Sequence, residues 1–282
     1  MTSLNQRIQE FYDSSTSLWE SRWGQHLHHG YYADPKDWQN QNPQQAQLDL
    51  ITNIVSWAGV ATTPPPKILD VGCGIGGTAL YFAQQFPAHV IGITLSPKQA
   101  SRAIEKAREH QLSDRLSFQV ADALAMPFAD QSFDLVWSLE SGEHMADKQK
   151  FLQECYRVLQ PQGRLVLATW CHRPSQLQPL SKYEQEMLER IYRVYCLPYV
   201  VSLPDYQAIA VSCGFVDIKT ADWSEQVAPF WQAVWQSVRS PSAIWDIFRH
   251  GWHTINGALA VRLMIRGYAS GLLRFGLLSA KK

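Results

Sequence analysis

Short apolar runs alternate with helical patterns through the middle of the chain. Between residues 65 and 170, five runs typical of buried strands are separated by segments whose apolar residues recur at helical spacing. The predicted strands read KILDV, HVIGITL, LSFQVAD, FDLVWSL and RLVLATW, and the predicted helices read TALYFAQQF, PKQASRAIEKAREH and KQKFLQECYRVL. Such alternation is typical of a parallel sheet with crossover helices, so we predict an α/β fold.

The two flanks carry a different pattern. Residues 1 to 60 predict helices around a polar loop, HLHHGYY, and the prolines of TTPPP end this part because proline cannot continue a helix. PQG at 161 to 163 predicts a turn between a helix and a strand. After Trp170 we predict an aromatic stretch punctuated by prolines, the strand FVDIKTADW, and then helices to the C-terminus.

Composition narrows the class of protein. With 46% hydrophobic and 18% charged residues the 282-residue chain is globular, and 25 basic residues balance 25 acidic ones, which argues against a nucleic-acid partner. Five cysteines without a C-x-x-C pair argue against disulfides and structural zinc. The N-terminus lacks a signal-peptide pattern and no apolar run reaches membrane-spanning length. These features predict a cytoplasmic location.

A glycine-rich loop follows the first predicted strand. Its sequence, DVGCGIGG from Asp70 to Gly77, permits a tight turn and a close approach of backbone to a ligand. The same glycines satisfy the G-x-G-x-x-G pattern of dinucleotide binding. Asp70 would repel a pyrophosphate, however, and Thr94 stands where nicotinamide enzymes carry an acid for the ribose. A sulfonium or ammonium ligand therefore fits better than NAD.

A second candidate binding loop follows the third predicted strand. Asp122 there can accept from an adenine amino group, and apolar neighbours such as Leu124 can cover the ring. Because the carboxyl ends of parallel strands meet at one edge, the two loops predict a single binding crevice.

These motifs resemble those of class I S-adenosylmethionine-dependent methyltransferases. DVGCGIGG, an acid followed by alanine after strand three, and FDLVW at strand four occur there in the same order, and the resemblance covers residues 65 to 170. It implies a seven-stranded, mostly parallel Rossmann-like core with an N-terminal helical lid and a helical cap. The implied division is a lid at 1–60, a cofactor-binding core at 61–171 and an acceptor cap region with the remaining core strands at 172–282.

The same resemblance implies S-adenosyl-L-methionine as the cofactor and assigns residues to it by position. Most members carry an acid where this chain has Thr94, so Thr94 and Gln99 are expected to meet the ribose hydroxyls instead. The predicted cofactor-binding residues are Asp70, Gly72, Gly74, Gly76, Thr94, Gln99, Asp122, Ala123 and Ser138.

A narrower resemblance extends over nearly the whole chain. HLHHGYY, GITLSP, SLESGEHM, TWCHRP, YCLPYVVSLPDY and TINGALAVRLMIRGY are similar to segments of the γ-tocopherol methyltransferase family in its cyanobacterial form. This implies ring C-methylation of a prenylated phenol, with N-methylation of a prenylated indole-type alkaloid as the alternative. It also implies a small aromatic acceptor and loose membrane association for a lipid substrate. A non-catalytic cofactor-binding module is disfavoured because it gives the aromatic cap no role; the oligomeric state stays open.

The segment after strand four carries the candidate catalytic residues. In this architecture it faces the transferred methyl, and it contains Glu140, Glu143 and His144. A phenol or amine must lose a proton when it attacks, and histidine titrates near neutral pH. His144 is either this base or a packed neighbour, Glu140 is expected to contact the ligand, and Glu143 either acts in catalysis or caps the following helix.

The remaining candidates are side chains of the flanks. His26, His28 and His29 lack carboxylate partners at ligand spacing, so we expect a loop that closes over the cofactor and no metal site. Tyr12 and Tyr31 are expected to reach the methionine end. We expect the acceptor to contact the segments 172–206 and 223–256, with walls formed by Cys171, His172, Trp170, Tyr195, Tyr199, Trp223, Trp231, Trp235, Trp245 and Trp252.

Overall fold

One seven-stranded sheet organises the described residues, which in the computed structural model are 3–61, 66–176, 178–238 and 252–282. The strands are β1 Lys67–Val71, β2 His89–Thr94, β3 Leu116–Val120, β4 Phe133–Leu139, β5 Leu159–His172, β6 Val216–Asp222 and β7 Leu273–Lys281. Their order is β3-β2-β1-β4-β5-β7-β6, and only β7 runs antiparallel to its neighbours. The predicted seven-stranded, mostly parallel α/β fold is confirmed.

The helices cover both faces of this sheet and its carboxyl edge. They are α1 Leu4–Trp23, α2 Pro43–Ala58, α3 Gly77–Gln85, α4 Pro97–Glu109, α5 Lys148–Val158, α6 Lys182–Val194, α7 Leu203–Ser212, α8 Ser224–Val227, α9 Pro229–Val238 and α10 Trp252–Ala269. Polar caps fix their starts: the Asn42 side chain accepts from the Gln44 backbone before α2, and Ser96 accepts from Gln99 before α4. Within the described ranges, no helix combines the length and apolar character needed to span a bilayer.

The central strands are buried on both faces because helices pack on each side of the sheet. One buried cluster joins Leu50 of α2 and Phe82 of α3 with Trp137 of β4. A second cluster, on the other face, joins Leu69 of β1 with Phe151 of α5. Strands enclosed in this way read as continuous apolar runs, and this is why the middle of the chain was predictable.

Helix α1 lies across α4 and so covers the carboxyl ends of the strands. Asp13 accepts a hydrogen bond from Ser96, and Glu20 pairs with Arg102 at 2.9 Å and with Lys106 at 3.3 Å. The helix is continuous from Leu4 to Trp23. Charged side chains thus hold α1, the first of two α-helices in residues 3–61, against α4.

Two predictions for the strands were wrong. The chain ends in β7, although we predicted helices to the C-terminus; LRFGLLSAK is almost wholly buried, and a continuous apolar run does not distinguish a buried strand from a helix by periodicity. The PQG segment lies inside β5 and not in a separate turn. Gln162 has a φ of 67°, and the β4–β5 register shifts beside it. The TTPPP break lies mostly outside the described residues.

Candidate active site

A cavity of about 1040 Å³, counted to its open mouth, lies at the carboxyl ends of β1, β2 and β4. We call it the sheet-edge cavity. The predicted residues that line it are Asp70, Gly72, Gly74, Thr94, Gln99, Asp122, Ala123, Glu140 and His144.

The glycine loop presents its backbone to this cavity. Gly72 and Gly74 have φ angles of 77° and 52°, in the left-handed region that glycine adopts without strain. A Cβ on Gly72 would lie 2.2 Å from the Cβ of Ser141, so the loop is pressed against the segment after β4. A Cβ on Gly74 would meet only the Leu27 side chain, at 3.9 Å, so that position opens into the cavity.

Two predicted cofactor residues do not line the cavity. A Cβ on Gly76 would lie 2.9 Å from the Phe118 ring, so this glycine serves the packing of α3. Ser138 is buried, and its Oγ lies 2.7 Å from the Oγ of Ser141, which in turn donates to the Val71 carbonyl. Ser141 is the serine that lines the cavity. Sequence reasoning missed it because no local pattern shows that it touches Gly72.

Asp70 is a buried carboxylate that lacks a partner. Its side chain is 2% exposed, and its Oδ2 has no hydrogen-bond partner in the described protein. Burial raises the pKa of Asp70 to about 7. A cationic ligand group in the cavity would offset this desolvation, so the site fits the positively charged methionine part of S-adenosylmethionine.

Thr94 and Gln99 form a neutral pair where most class I methyltransferases carry an acid. The Thr94 hydroxyl donates to Gln99 Oε1 at 2.8 Å and accepts from the Ser96 backbone at 3.2 Å. Gln99 Nε2 donates to Thr16 of α1 at 3.3 Å. The pair is therefore placed from both the β2 end and the lid, and its polar atoms border the cavity.

Asp122 joins the loop after β3 to the lid. Its Oδ1 accepts from the Leu124 backbone at 2.8 Å, and its Oδ2 accepts from Asn5 Nδ2 at 2.8 Å. Asn5 lies in the first turn of α1 and also lines the cavity. The carboxylate predicted to meet an adenine amino group thus already binds an amide donor, the same hydrogen-bonding type as that amino group.

A second cavity, of about 640 Å³, adjoins the first and is walled by rings. We call it the aromatic cavity. It shares Tyr12, Leu27, Glu140 and His144 with the sheet-edge cavity. Its other lining residues are Phe11, Thr16, Trp19, His29, Glu143, Trp170, Tyr195, Phe230 and Trp231. The two chambers therefore meet at the segment after β4, where the candidate catalytic residues lie.

The predicted aromatic walls are correct only in part. Trp170, Tyr195 and Trp231 line the aromatic cavity. The predicted wall residues that line neither cavity are Cys171, His172, Tyr199, Trp223 and Trp235, and Tyr31, predicted to reach the methionine end, also lines neither. Tyr31 packs on Trp223, away from both chambers. Trp245 and the Trp252 side chain lie outside the described part of the chain.

Glu140 connects the sheet to the loop that carries His26, His28 and His29, which we call the histidine loop. Its Oε1 accepts from the His29 backbone at 2.7 Å, and its Oε2 accepts from His29 Nδ1 at 2.7 Å and Trp170 Nε1 at 3.1 Å. Burial alone would raise the pKa of Glu140, but these contacts with His29 hold it below the ordinary value. A φ of 52° turns the residue to reach them. Both carboxylate oxygens are occupied within the protein.

Glu143 is buried beside it and His144 is half-buried, and their pKa values shift in opposite directions. Burial and the nearby Glu140 raise the pKa of Glu143 to about 8, although Thr169 donates to its Oε2 at 2.7 Å. Burial, with the positive Lys148 nearby, lowers the pKa of His144 to about 3. The His144 imidazole is therefore neutral, with Nε2 2.7 Å from the Tyr12 hydroxyl. Lys148 does not pair with Glu143 but donates to three backbone carbonyls.

The other two histidines of the loop border the sheet-edge cavity. Gln47 Nε2 donates to the carbonyls of His26 and His28 at 2.8 and 2.9 Å and so fixes the loop. Burial lowers the pKa of both imidazoles. Among the described residues, no group of three metal-binding side chains occurs.

Three comparisons place this geometry among known proteins. The family described as Methyltransferase domain matches residues 69–167. Over 99% of its length the chain is 46% identical to a probable chloroplastic tocopherol O-methyltransferase of Oryza sativa subsp. japonica, and it covers 78% of that protein. Over 95% of its length it is 34% identical to 2-methyl-6-phytyl-1,4-hydroquinone methyltransferase of Synechocystis sp., with 85% of that protein covered.

A solved structure shows the same fold. The putative sarcosine dimethylglycine methyltransferase of Galdieria sulphuraria superposes with a TM-score of 0.83 at 24% identity, covering 96% of this chain and 98% of that one.

Proposed function

The chain belongs to the tocopherol methyltransferase type of class I S-adenosylmethionine-dependent methyltransferases, and from this premise we propose that it methylates the ring of a prenylated phenol. The observation that carries the proposal is the junction of two chambers at Tyr12, Leu27, Glu140 and His144. One chamber has charged and backbone groups suited to a polar cofactor, and the other has rings suited to an aromatic acceptor.

The sheet-edge cavity would hold S-adenosylmethionine. Asp70 would face the cationic methionine part, the backbone at Gly72 and Gly74 would approach it closely, and Asp122 would accept from the adenine amino group. Thr94 and Gln99 would meet the ribose hydroxyls. When bound, the cofactor would supply a methyl group activated by a sulfonium; the protein supplies orientation.

The aromatic cavity would hold the phenol with its ring against the junction. Flat rings such as Trp170, Tyr195 and Trp231 bury an aromatic head group well. The same apolar walls suit a prenyl tail, whose burial contributes about 0.8 kcal/mol for each methylene removed from water. A methyl donor in one chamber and an acceptor in the other would meet at the boundary between them.

Protein groups at this boundary hold the acceptor and manage its proton. His144 is neutral and hydrogen-bonded to Tyr12, so it can orient a phenol oxygen. Because the imidazole carries no positive charge, it does not repel the sulfonium. Glu143, protonated up to a pH of about 8, adds no negative charge beside Glu140 at neutral pH. Ionised Glu140 supplies the negative charge that favours a cationic methyl donor.

We propose that the protein is cytoplasmic and loosely contacts the membrane that carries its lipid acceptor. Fractionation of the source cells would separate a membrane-bound from a free protein. The rice relative is chloroplastic by its name.

Methyl transfer to a panel of acceptors tests the function. Purified protein is incubated with labelled S-adenosylmethionine and prenylated phenols, indole-type alkaloids or small polar amines, and the product is solved by NMR. We expect label on a ring carbon beside the phenol oxygen. Label on the oxygen itself or on an alkaloid nitrogen contradicts ring methylation while the reaction class stands.

A further inference from the structure

His29 and Glu140 form a carboxylate–imidazole pair inside the aromatic cavity. The His29 Nδ1 lies 2.7 Å from Glu140 Oε2, and the pair is almost wholly buried, with side chains 1% and 8% exposed. Since an ionised carboxylate only accepts, the neutral imidazole carries its proton on Nδ1 and keeps its lone pair on Nε2. The carboxylate thus fixes one tautomer, as the oriented base of a catalytic dyad requires.

The Nε2 of His29 has no partner in the described protein. A buried polar atom left unpaired is destabilising, and such atoms are rare in folded proteins. The imidazole lies among rings, with Phe230 at 4.8 Å and Trp231 at 5.2 Å between centroids. The indole Nε1 of Trp231 is also buried and unpartnered. Two unsatisfied polar atoms within one apolar chamber fit a ligand that carries a hydroxyl group.

We propose that His29, positioned by Glu140, accepts the phenol proton during methyl transfer. The inference rests on the proposed function and names the base of that reaction. His29 lines the aromatic cavity, whereas its partner Glu140 lines both chambers, so the base lies on the acceptor side of the junction.

The proton and electron movements balance. The phenol O–H proton moves to His29 Nε2, and the electron density released to the ring forms the new bond between the ortho carbon and the methyl. The carbon–sulfur bond breaks and its electron pair stays on sulfur. The ortho carbon then loses its ring proton to water as the ring regains aromaticity, and His29 returns its proton to the oxygen. Glu140 offsets the positive charge that His29 carries meanwhile.

The two other candidates from the sequence are less suited to this step. His144 Nε2 lies 2.7 Å from the Tyr12 hydroxyl, and its Nδ1 is unpartnered like His29 Nε2, but no carboxylate of the described residues hydrogen-bonds to this imidazole to orient it. Glu143 accepts from Thr169 at 2.7 Å and is protonated at neutral pH. Only His29 combines a free lone pair, an ionised partner on its other nitrogen, and a place in the acceptor chamber.

Two complementary variants test the assignment. His29→Asn keeps an amide donor for Glu140 and loses the ring, while His29→Phe keeps the ring and loses the donor; both lack the Nε2 lone pair. We expect both to lower kcat about 100-fold or more, the scale of general-base catalysis, with cofactor affinity by calorimetry unchanged within about twofold. His110→Asn, an exposed histidine at the end of α4, is the matched control and should retain full activity.

An acidic acceptor separates a chemical role from a structural one. A prenylated phenol acidified by electron-withdrawing ring substituents until it is ionised at the assay pH needs no base, so the loss of kcat in His29→Asn should shrink to a few-fold. Glu140→Gln, which disturbs the tautomer, should show the same rescue. An equal loss with both acceptors, or no loss at all, overturns the assignment. A parent protein that methylates no phenol refutes the proposed function itself.

Discussion

The two cavities share four residues but are built in different ways. The sheet-edge cavity takes its walls chiefly from the segments that follow β1, β2, β3 and β4, each a few residues long. The aromatic cavity takes its walls from α1, the histidine loop, the end of β5, the end of α6 and α9, which are distant in sequence. One chamber is thus a property of a parallel sheet, and the other is a property of how lid and cap pack over it.

Because of this difference, the two cavities should tolerate different substitutions. Strand ends hold backbone groups at fixed positions, so the sheet-edge cavity depends on a few glycines and carboxylates. The aromatic cavity is lined mainly by rings on helices and loops outside the sheet, so changes there need not disturb the sheet. Cofactor binding and acceptor binding should therefore be separable by mutation.

The largest separation is expected at Gly74. Gly74→Val would place a branched side chain in the sheet-edge cavity and should abolish measurable cofactor binding by calorimetry. Gly59→Val is the matched control, since Gly59 also has positive φ, 61° against 52°, but no atom within 4 Å of an added Cβ. Both variants should lose a similar amount of stability, about 1–3 kcal/mol of backbone strain. Equal cofactor affinity in the two variants contradicts the glycine-loop assignment.

A smaller effect is expected at Glu143, at the junction of the two cavities, in how the free energy of unfolding depends on pH. The pKa of Glu143 is raised to about 8 in the folded protein from an ordinary 4.5, so folding takes up a proton between these values. Its contribution to stability is fully present below pH 4.5 and is lost as pH rises through 8. Glu143→Gln should remove a slope of roughly 1 kcal/mol per pH unit between pH 5 and 8.

Denaturant unfolding at several pH values measures this slope. Asp70, with a pKa raised to about 7, contributes in the same direction to both proteins, so the difference between parent and variant isolates Glu143. Parallel curves for the two proteins are inconsistent with a protonated Glu143.

The smallest effect is expected at Asp122. Asp122→Asn removes the charge while keeping the shape, and should weaken cofactor binding roughly tenfold, as for one charge-assisted hydrogen bond. Asp130→Asn, a change at an exposed carboxylate paired with Arg157 at 2.9 Å, is the control. Acceptor KM should not change in either variant. A shift in acceptor KM alone would place Asp122 in the wrong chamber.

Most residues that line the sheet-edge cavity could be predicted from local sequence. Asp70, Gly74 and Asp122 stand directly after apolar runs, and parallel strands bring such positions together. Gly76 and Ser138 show the limit, because a glycine needed for helix packing and one needed for ligand approach look alike in sequence. Which of two nearby serines faces the cavity likewise depends on the turn at Glu140.

The lining of the aromatic cavity and the last strand were harder to predict from the sequence. The link between His29 and Glu140 spans more than a hundred positions, and no periodicity reports it. Trp223 and Trp231 look equivalent as sequence, yet only the latter lines the cavity. Strand β7 inserts between β5 and β6 from the C-terminus, and its apolar run fits a buried helix equally well.

The central claim is that the aromatic cavity binds a prenylated phenol beside the cofactor. The most direct measurement is the KM of acceptors with one head group and progressively fewer isoprene units, taken together with cofactor affinity. We predict that KM rises stepwise with each unit lost while cofactor affinity stays constant. A KM independent of tail length, with small polar amines methylated equally well, would contradict the account.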